Sequence, residues 1–279
     1  MKSPYAYAPE WYTKVRLHPT ELYMTPFQIC GNLFFVGNED VSAHLVDTGE
    51  GLILFDTGYS HMGGQLVHAI WKLGFCPEDI KMIFHTHGHF DHFGATRFLV
   101  QQSGAKTFLG KKDAQMFRQR PELALCHYIQ GIPTEFFAPD VELEDGNCFR
   151  LGNTVVEAYE TPGHSEGAIT YRILVTQEDR TYWALLCGGT GFNSLCREFQ
   201  EEYHNESWRV DFENSLKKWK AMTCDIYLGN HTNQSRTKER YEQMMRFGGN
   251  PFLDASQWPK FLEDLERKYQ KMLQDEQTP

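Results

Sequence analysis

Apolar residues along this chain gather in short runs rather than long ones. Leu52-Ile53-Leu54-Phe55 and Ile80-Lys81-Met82-Ile83-Phe84 are compact, apolar and rich in β-branched residues, as buried strands are. Phe27-Gln28-Ile29-Cys30 turns through Gly31-Asn32 into Leu33-Phe34-Phe35-Val36, the pattern of a hairpin. Ala43 to Val46 continues as a strand into the turn Asp47-Thr48-Gly49-Glu50-Gly51, and further strands read at 107–109, 147–150, 154–159, 169–175, 182–186 and 225–228. A second periodicity interleaves with these. Leu66, Ile70 and Leu73 share a helical stripe that Gly74 stops; Trp208, Phe212, Leu216, Trp219 and Met222 form another; Phe261, Leu262, Leu265, Tyr269 and Met272 mark a C-terminal helix. Short helices are also expected at 94–102 and 112–118. Residues 1–23, the proline-containing stretch 120–140 and residues 191–206 read as irregular. With no repeat and no low-complexity linker, residues 1–279 are expected to form one domain.

The densest chemistry follows the strand ending at Phe84: His85-Thr86-His87-Gly88-His89-Phe90-Asp91-His92. His87, His89, Asp91 and His92 each offer a lone pair, and imidazole nitrogen beside a carboxylate oxygen suits zinc. His87 and His89 are two apart, which is not one helical face, so they belong to a strand end or loop. That is where open α/β sheets place their chemistry. Two later strands run into the same residue type, one through Thr161-Pro162-Gly163-His164 and the other through Gly229-Asn230-His231. Asp56 ends the strand at 52–55. The remaining histidines, His18, His44, His61, His68, His85, His127 and His204, are read as non-ligands.

Composition narrows the function classes. A hydrophobic content of 41% with 14% aromatic residues can fill a sizeable core. Lys and Arg total 27 against 37 Asp and Glu, a formal charge of −10, which argues against nucleic acid as a partner. No apolar run reaches the ~18 residues of a membrane span, and Met1 to Glu10 lacks the apolar segment of a secretory leader. Seven cysteines, an odd number without CxxC spacing, suit free thiols in a reducing compartment. A cytoplasmic protein acting on a small molecule, without an essential disulfide, is the expectation.

Gly31-Asn32-Leu33-Phe34-Phe35-Val36-Gly37, Leu52-Ile53-Leu54-Phe55-Asp56-Thr57-Gly58, His87-Gly88-His89-Phe90-Asp91-His92, Thr161-Pro162-Gly163-His164 and Gly248-Gly249-Asn250-Pro251-Phe252 together resemble the metallo-β-lactamase superfamily over most of the chain. The resemblance is strongest to the third β-lactamase subclass, whose second zinc site is Asp-His-His. It implies an αββα sandwich of two mixed β-sheets flanked by helices, and a pair of Zn2+ ions per chain. Carried over, the first ion falls to His87, His89 and His164 and the second to Asp91, His92 and His231, with Asp56 supporting them from behind. Many hydrolases of the superfamily, lactonases and glyoxalase II-like thioesterases among them, carry Gly-Asp after the strand corresponding to 182–186, and another lactamase subclass carries Gly-Gly-Cys. Here Cys187-Gly188-Gly189-Thr190 supplies no carboxylate, and Cys187 is out of register with that cysteine, so it is read as a small buried hydrophobe.

The implied reaction opens a cyclic amide or ester by a metal-bound hydroxide, with a β-lactam as the leading substrate, antibiotic resistance as the associated role, and Asp91 as the catalytic carboxylate orienting the nucleophile. A lactonase or thioesterase of the same fold is the alternative, and an iron-dependent persulfide dioxygenase, which needs fewer ligands, is a more distant one.

Overall fold

The computed structural model describes residues 8–277; Met1 to Glu10, read above for a leader, lies mostly outside them. Helix α1 (Pro9–Leu17) leads into β1 (Phe27–Cys30), β2 (Leu33–Phe35), β3 (His44–Asp47), β4 (Leu52–Phe55), α2 (Gly63–Lys72), β5 (Ile80–Phe84), α3 (Phe90–Phe93), α4 (Thr96–Ser103), β6 (Lys106–Gly110), α5 (Lys111–Gln119) and β7 (Val141–Leu143). These seven strands form one sheet in sequence order, antiparallel from β1 to β4 and parallel from β4 to β7. The chain continues through β8 (Cys148–Leu151), β9 (Thr154–Glu160), β10 (Ile169–Gln177), β11 (Arg180–Cys187), α6 (Arg197–Tyr203), α7 (Ser207–Lys220), β12 (Ile226–Gly229), α8 (Thr237–Phe247) and α9 (Gln257–Gln277). The second sheet has the order β12-β11-β10-β9-β8 and is antiparallel except for β11 and β12.

Alternation along the strands builds the layers. Ile53 and Phe55 of β4 face the second sheet, where Phe55, Phe84 and Phe108 stack at 5.5 and 4.2 Å and meet Tyr171, Ile173, Leu186 and Leu228. Leu52 and Leu54 point the other way, onto Leu66 and Ile70 of α2 and Leu99 of α4. On the far side, Leu185, Cys187 and Tyr227 pack under Phe212 and Trp219 of α7 and Trp258, Leu265 and Tyr269 of α9. The central strands are covered on both faces, which is why their sequences are continuous apolar runs. Each fully buried aromatic contributes about 1.5–3 kcal/mol of transfer free energy. The αββα sandwich of two mixed sheets is thus observed.

Four departures from the sequence expectation share one cause. Residues 1–23 contain α1, a helix opened by Pro9 at its first position, where proline has no bond to lose. Residues 191–206 contain α6. Helix α8, whose buried residues are only Thr237 and Arg240, and the three-residue β7 were not expected at all. None presents a broad apolar stripe; each is held by what it packs against. The stretch 120–140 is irregular apart from two short 3-10 turns at Pro121–Ala124 and Cys126–Tyr128.

Candidate metal centre

Three strand ends converge. The loop after β5 carries His87 and His89, and the single turn of α3 carries Asp91 and His92. His164 follows β9, and His231 follows β12. The parallel pairing of β11 with β12 puts both C-terminal ends on the same side, and Ile169 N donates to Thr86 O at 2.8 Å, joining the second sheet to the ligand loop of the first. The turn before His164 depends on Gly163. Its φ is +136°, and a Cβ there would sit 2.6 Å from Phe212.

The six side chains form two groups of three, His87 with His89 and His164, and Asp91 with His92 and His231. In the first group His89 Nδ1 lies 3.1 Å from His87 Nε2 and 3.0 Å from His164 Nε2. In the second, His92 Nε2 and His231 Nε2 are 3.3 Å apart, and Asp91 Oδ2 is 3.6 Å from each. Ligand atoms at about 2.0–2.1 Å from a tetrahedral zinc would lie about 3.3 Å from one another, so both groups fit such an ion.

The outward nitrogens say which lone pairs are free. His92 Nδ1 donates to Asp56 Oδ2 at 2.9 Å, His164 Nδ1 to Gly191 O at 2.9 Å, and His231 Nδ1 to Asp40 O at 3.2 Å. His87 Nδ1 donates to Thr86 Oγ1 at 3.1 Å, which passes its own proton to Asp56 Oδ2 at 2.7 Å. With the proton held outside, the inward nitrogens of His87, His92 and His164 keep their lone pairs for a cation. Only His89 differs: its outward Nε2 is buried without a partner. Burial first, and then the positive charge of the neighbouring imidazoles, holds His87 and His89 well below the usual histidine range; burial pushes His164 down to about 3. These rings are neutral, as ligands must be. Burial also works against charge on His231, but Asp40, by hydrogen bond and charge, and Asp91 outweigh it and push His231 up to about 9, so a cation binding there must displace its inward proton.

Asp56, placed behind the site by the sequence, accepts from Thr86 N and Thr86 Oγ1, both at 2.7 Å, as well as from His92. Its φ is +56°, a left-handed conformation held in place by these bonds. Two further carboxylates escaped the sequence reading. Asp40 receives Tyr59 OH at 2.6 Å and Trp11 Nε1 at 3.2 Å while its backbone carbonyl orients His231. Asp113, fully buried on α5, accepts from Gly88 N and Ser165 Oγ at 2.7 Å and Gly167 N at 2.8 Å. It therefore ties the His87–His89 loop to the His164 loop, and burial pushes its carboxyl up to about 6 despite those three donors. No sequence signal marks it, because an aspartate in the first turn of a helix reads as surface. Asn230 was passed over too: it lines the cavity with both side-chain polar atoms buried and unpartnered.

His85 stays out of both groups, its nitrogens bound to Phe108 O at 2.9 Å and Thr96 Oγ1 at 2.7 Å. Cys187 is buried in the apolar layer beneath α7 and α9, far from thiolate chemistry because burial raises its pKa. His89, Asp91, His164 and His231 open onto a cavity of ≈ 290 Å³ walled by Tyr12, Phe90, Leu125 and Phe192, with His87 and His92 fully buried behind them.

The family model of the metallo-beta-lactamase superfamily matches residues 36–176, half of the chain, and spans β3 to β10 with five of the six grouped residues. The chain belongs to the metallo-beta-lactamase superfamily. Among solved structures of that superfamily, it is similar to the native FEZ-1 metallo-beta-lactamase from Legionella gormanii, at 28% identity and a TM-score of 0.80, over 92% of this chain and 98% of that one. It is likewise similar to a class B3 di-zinc metallo-beta-lactamase from an Alaskan soil metagenome, at 25% identity and a TM-score of 0.80, over 91% and 96%. By sequence it is similar to the hydroxyacylglutathione hydrolase of Methylococcus capsulatus, 29% identical over 155 residues, which are 56% of this chain and 46% of that enzyme. The chain thus spans about half the length of that curated relative. Among the described residues of this superfamily member, no helix is long and apolar enough to cross a membrane.

Proposed function

We propose that this chain, acting as one domain, is a zinc-dependent hydrolase that opens a cyclic amide, with β-lactams as its first substrate class. The observation that carries the reading is the Asp91-His92-His231 group beside the three-histidine group, with Gly188-Gly189-Thr190 after β11 offering no further carboxylate. The likeness to β-lactamases over nine-tenths of the chain supports it. His87, His89 and His164 would hold one zinc, and Asp91, His92 and His231 the other. Zinc bound in such sites lowers the pKa of coordinated water to about 7 and polarises carbonyl oxygens.

The chain's own residues then have separable roles. Asp91, the one carboxylate in either group, would hold the second ion and accept a hydrogen bond from the attacking water, setting its direction. Asp56, Thr86 and Asp40 fix the imidazole tautomers. Asn230 offers an unpartnered amide to the substrate, and Tyr12, Phe90, Leu125 and Phe192 exclude bulk water from the cavity.

The sequence relatives favour a second reading, a thioester hydrolase. Metal analysis of the purified protein, with turnover of nitrocefin and of a hydroxyacyl-glutathione thioester, separates the two. Nitrocefin turnover at a kcat/KM at least tenfold above the thioester is expected, with zinc in both sites of the wild type. His164→Ala is expected to empty the first group preferentially and His231→Ala the second. Thioester turnover alone would replace the lactam reading, and iron without zinc would defeat both.

A further inference from the structure

A second and larger cavity, ≈ 750 Å³, adjoins the metal centre. It shares the wall formed by Thr190, Gly191, Phe192, His231 and Gln234 with the cavity described above and extends between the start of α8 and the face of α9. Its far wall is cationic. Arg236, Arg240, Lys260 and Lys268 line it against one carboxylate, Asp264, which Lys268 already holds at 2.6 Å. In a chain of net charge −10 this concentration of cations stands against the average.

Two polar groups on this wall are left without partners. Arg240 is only 7% exposed and lies over the Phe252 ring; its Nη2 donates to Gln257 Oε1 at 2.8 Å, but Nη1 is buried with no acceptor. Among the described residues no carboxylate lies within ion-pair distance of Arg240, and Asp254 and Glu239 act on it only from longer range. Tyr227, the second residue of β12 and 1% exposed, has its hydroxyl buried and unbonded on the same cavity. A buried guanidinium with no carboxylate in direct contact and a buried hydroxyl without an acceptor are both costly. An oxyanion placed between them would satisfy both with charge-assisted hydrogen bonds.

We propose that this cavity seats an anionic group of the substrate, a carboxylate or another oxyanion, on Arg240 Nη1 and Tyr227 OH, with Arg236 and Lys260 drawing it in. The proposal rests on the hydrolase reading only for the statement that the anion belongs to the substrate: the carbonyl to be hydrolysed then lies on the His231 side of the shared wall and the anion on the α9 side. It selects acyl compounds carrying a negative charge away from the bond that breaks.

The test is calorimetric titration of the full-length protein, as purified with its metal, using glutarate, the neutral glutaramide and inorganic phosphate. Glutarate is expected to bind and glutaramide not to. Arg240→Gln is expected to weaken glutarate more than tenfold, Tyr227→Phe several-fold, and Arg236→Gln about twofold. Phosphate binding weakened by the same variants also supports the site and assigns it to phosphate-bearing compounds if phosphate binds more tightly than glutarate. Tyr227→Phe removes an oxygen that makes no hydrogen bond in the structure, so it keeps the test open should Arg240→Gln fail to fold. Equal binding of glutarate and glutaramide, or unchanged glutarate affinity in both variants, overturns the proposal. Asp91→Asn, which probes the metal reading instead, is expected to leave glutarate affinity within about twofold. If Asp91→Asn abolishes binding while Arg240→Gln preserves it, the anion sits on the metal and this inference falls.

Discussion

Asp56→Asn isolates the support of the metal centre from the metal centre itself. The substitution keeps size and shape but turns one acceptor oxygen into a donor. The wild-type carboxylate faces three donors: Thr86 N on Oδ1, and Thr86 Oγ1 and His92 Nδ1 on Oδ2. An asparagine cannot accept from all three. If its oxygen takes the Oδ2 position, the amide opposes a backbone N–H that has no other form, leaving buried donors unmet at about 1–3 kcal/mol. If the oxygen serves Thr86 N, the amide faces His92 Nδ1, and the imidazole can answer by moving its proton to Nε2. That relief removes the Nε2 lone pair, which lies 3.3 Å from His231 Nε2 and 3.6 Å from Asp91 Oδ2. Either way a bound ion must reverse a penalty of about 1–3 kcal/mol, so zinc affinity of the second group is expected to fall about 10- to 100-fold. The first group should feel less, because His87 reaches Asp56 only through Thr86. Zinc content after dialysis against buffered free zinc gives the affinity, and long-range proton–nitrogen NMR gives the His92 tautomer. Unaltered zinc affinity with the proton still on Nδ1 would refute the claim that Asp56 sets the ligand nitrogen.

Asp91→Asn is expected to lose zinc from the second group and to lower turnover about 100-fold or more; unchanged turnover at half the zinc would mean chemistry with a single ion. The carboxyl of Asp113 takes up its proton at about 6 in the folded chain against an ordinary 3.8. Its contribution to stability is thus fully present below about pH 4 and lost as the pH rises through 6, a loss on the order of 3 kcal/mol at about 1.4 kcal/mol per pH unit. Asp113→Asn, which cannot titrate, should flatten the stability-versus-pH slope between pH 4 and 6 in urea unfolding, and an unaltered slope would contradict the assignment. Melting with and without a reductant should agree within a few degrees, since the seven cysteines are free thiols; a large drop on reduction would show a bond that matters.

What the sequence determined by itself was the local chemistry and most of the layers. A run such as Leu52-Ile53-Leu54-Phe55 has one low-energy use, a strand covered on both faces, and β4 spans those four residues. The spacing of His87, His89, Asp91 and His92 excludes a single helical face, and the structure divides the four between a loop and one helical turn. The absence of a carboxylate in Gly188-Gly189-Thr190 is likewise a fact of the sequence. Tertiary structure decided everything that depends on which distant groups meet. Asp113 looks like a surface residue of a polar helix until α5 docks and buries it beneath Gly88, Ser165 and Gly167. Asp40, Trp11, Tyr59 and His231 come together only after β12 has taken its place beside β11. Helix α8 carries no broad apolar stripe, so no periodicity announces it, and the cavity it lines together with α9 forms only where the two helices meet in the fold. Periodicity and spacing act over a few residues and can be read one stretch at a time. A hydrogen bond between residues 25 to 191 positions apart is set by sheet order and helix docking, and no local pattern carries it.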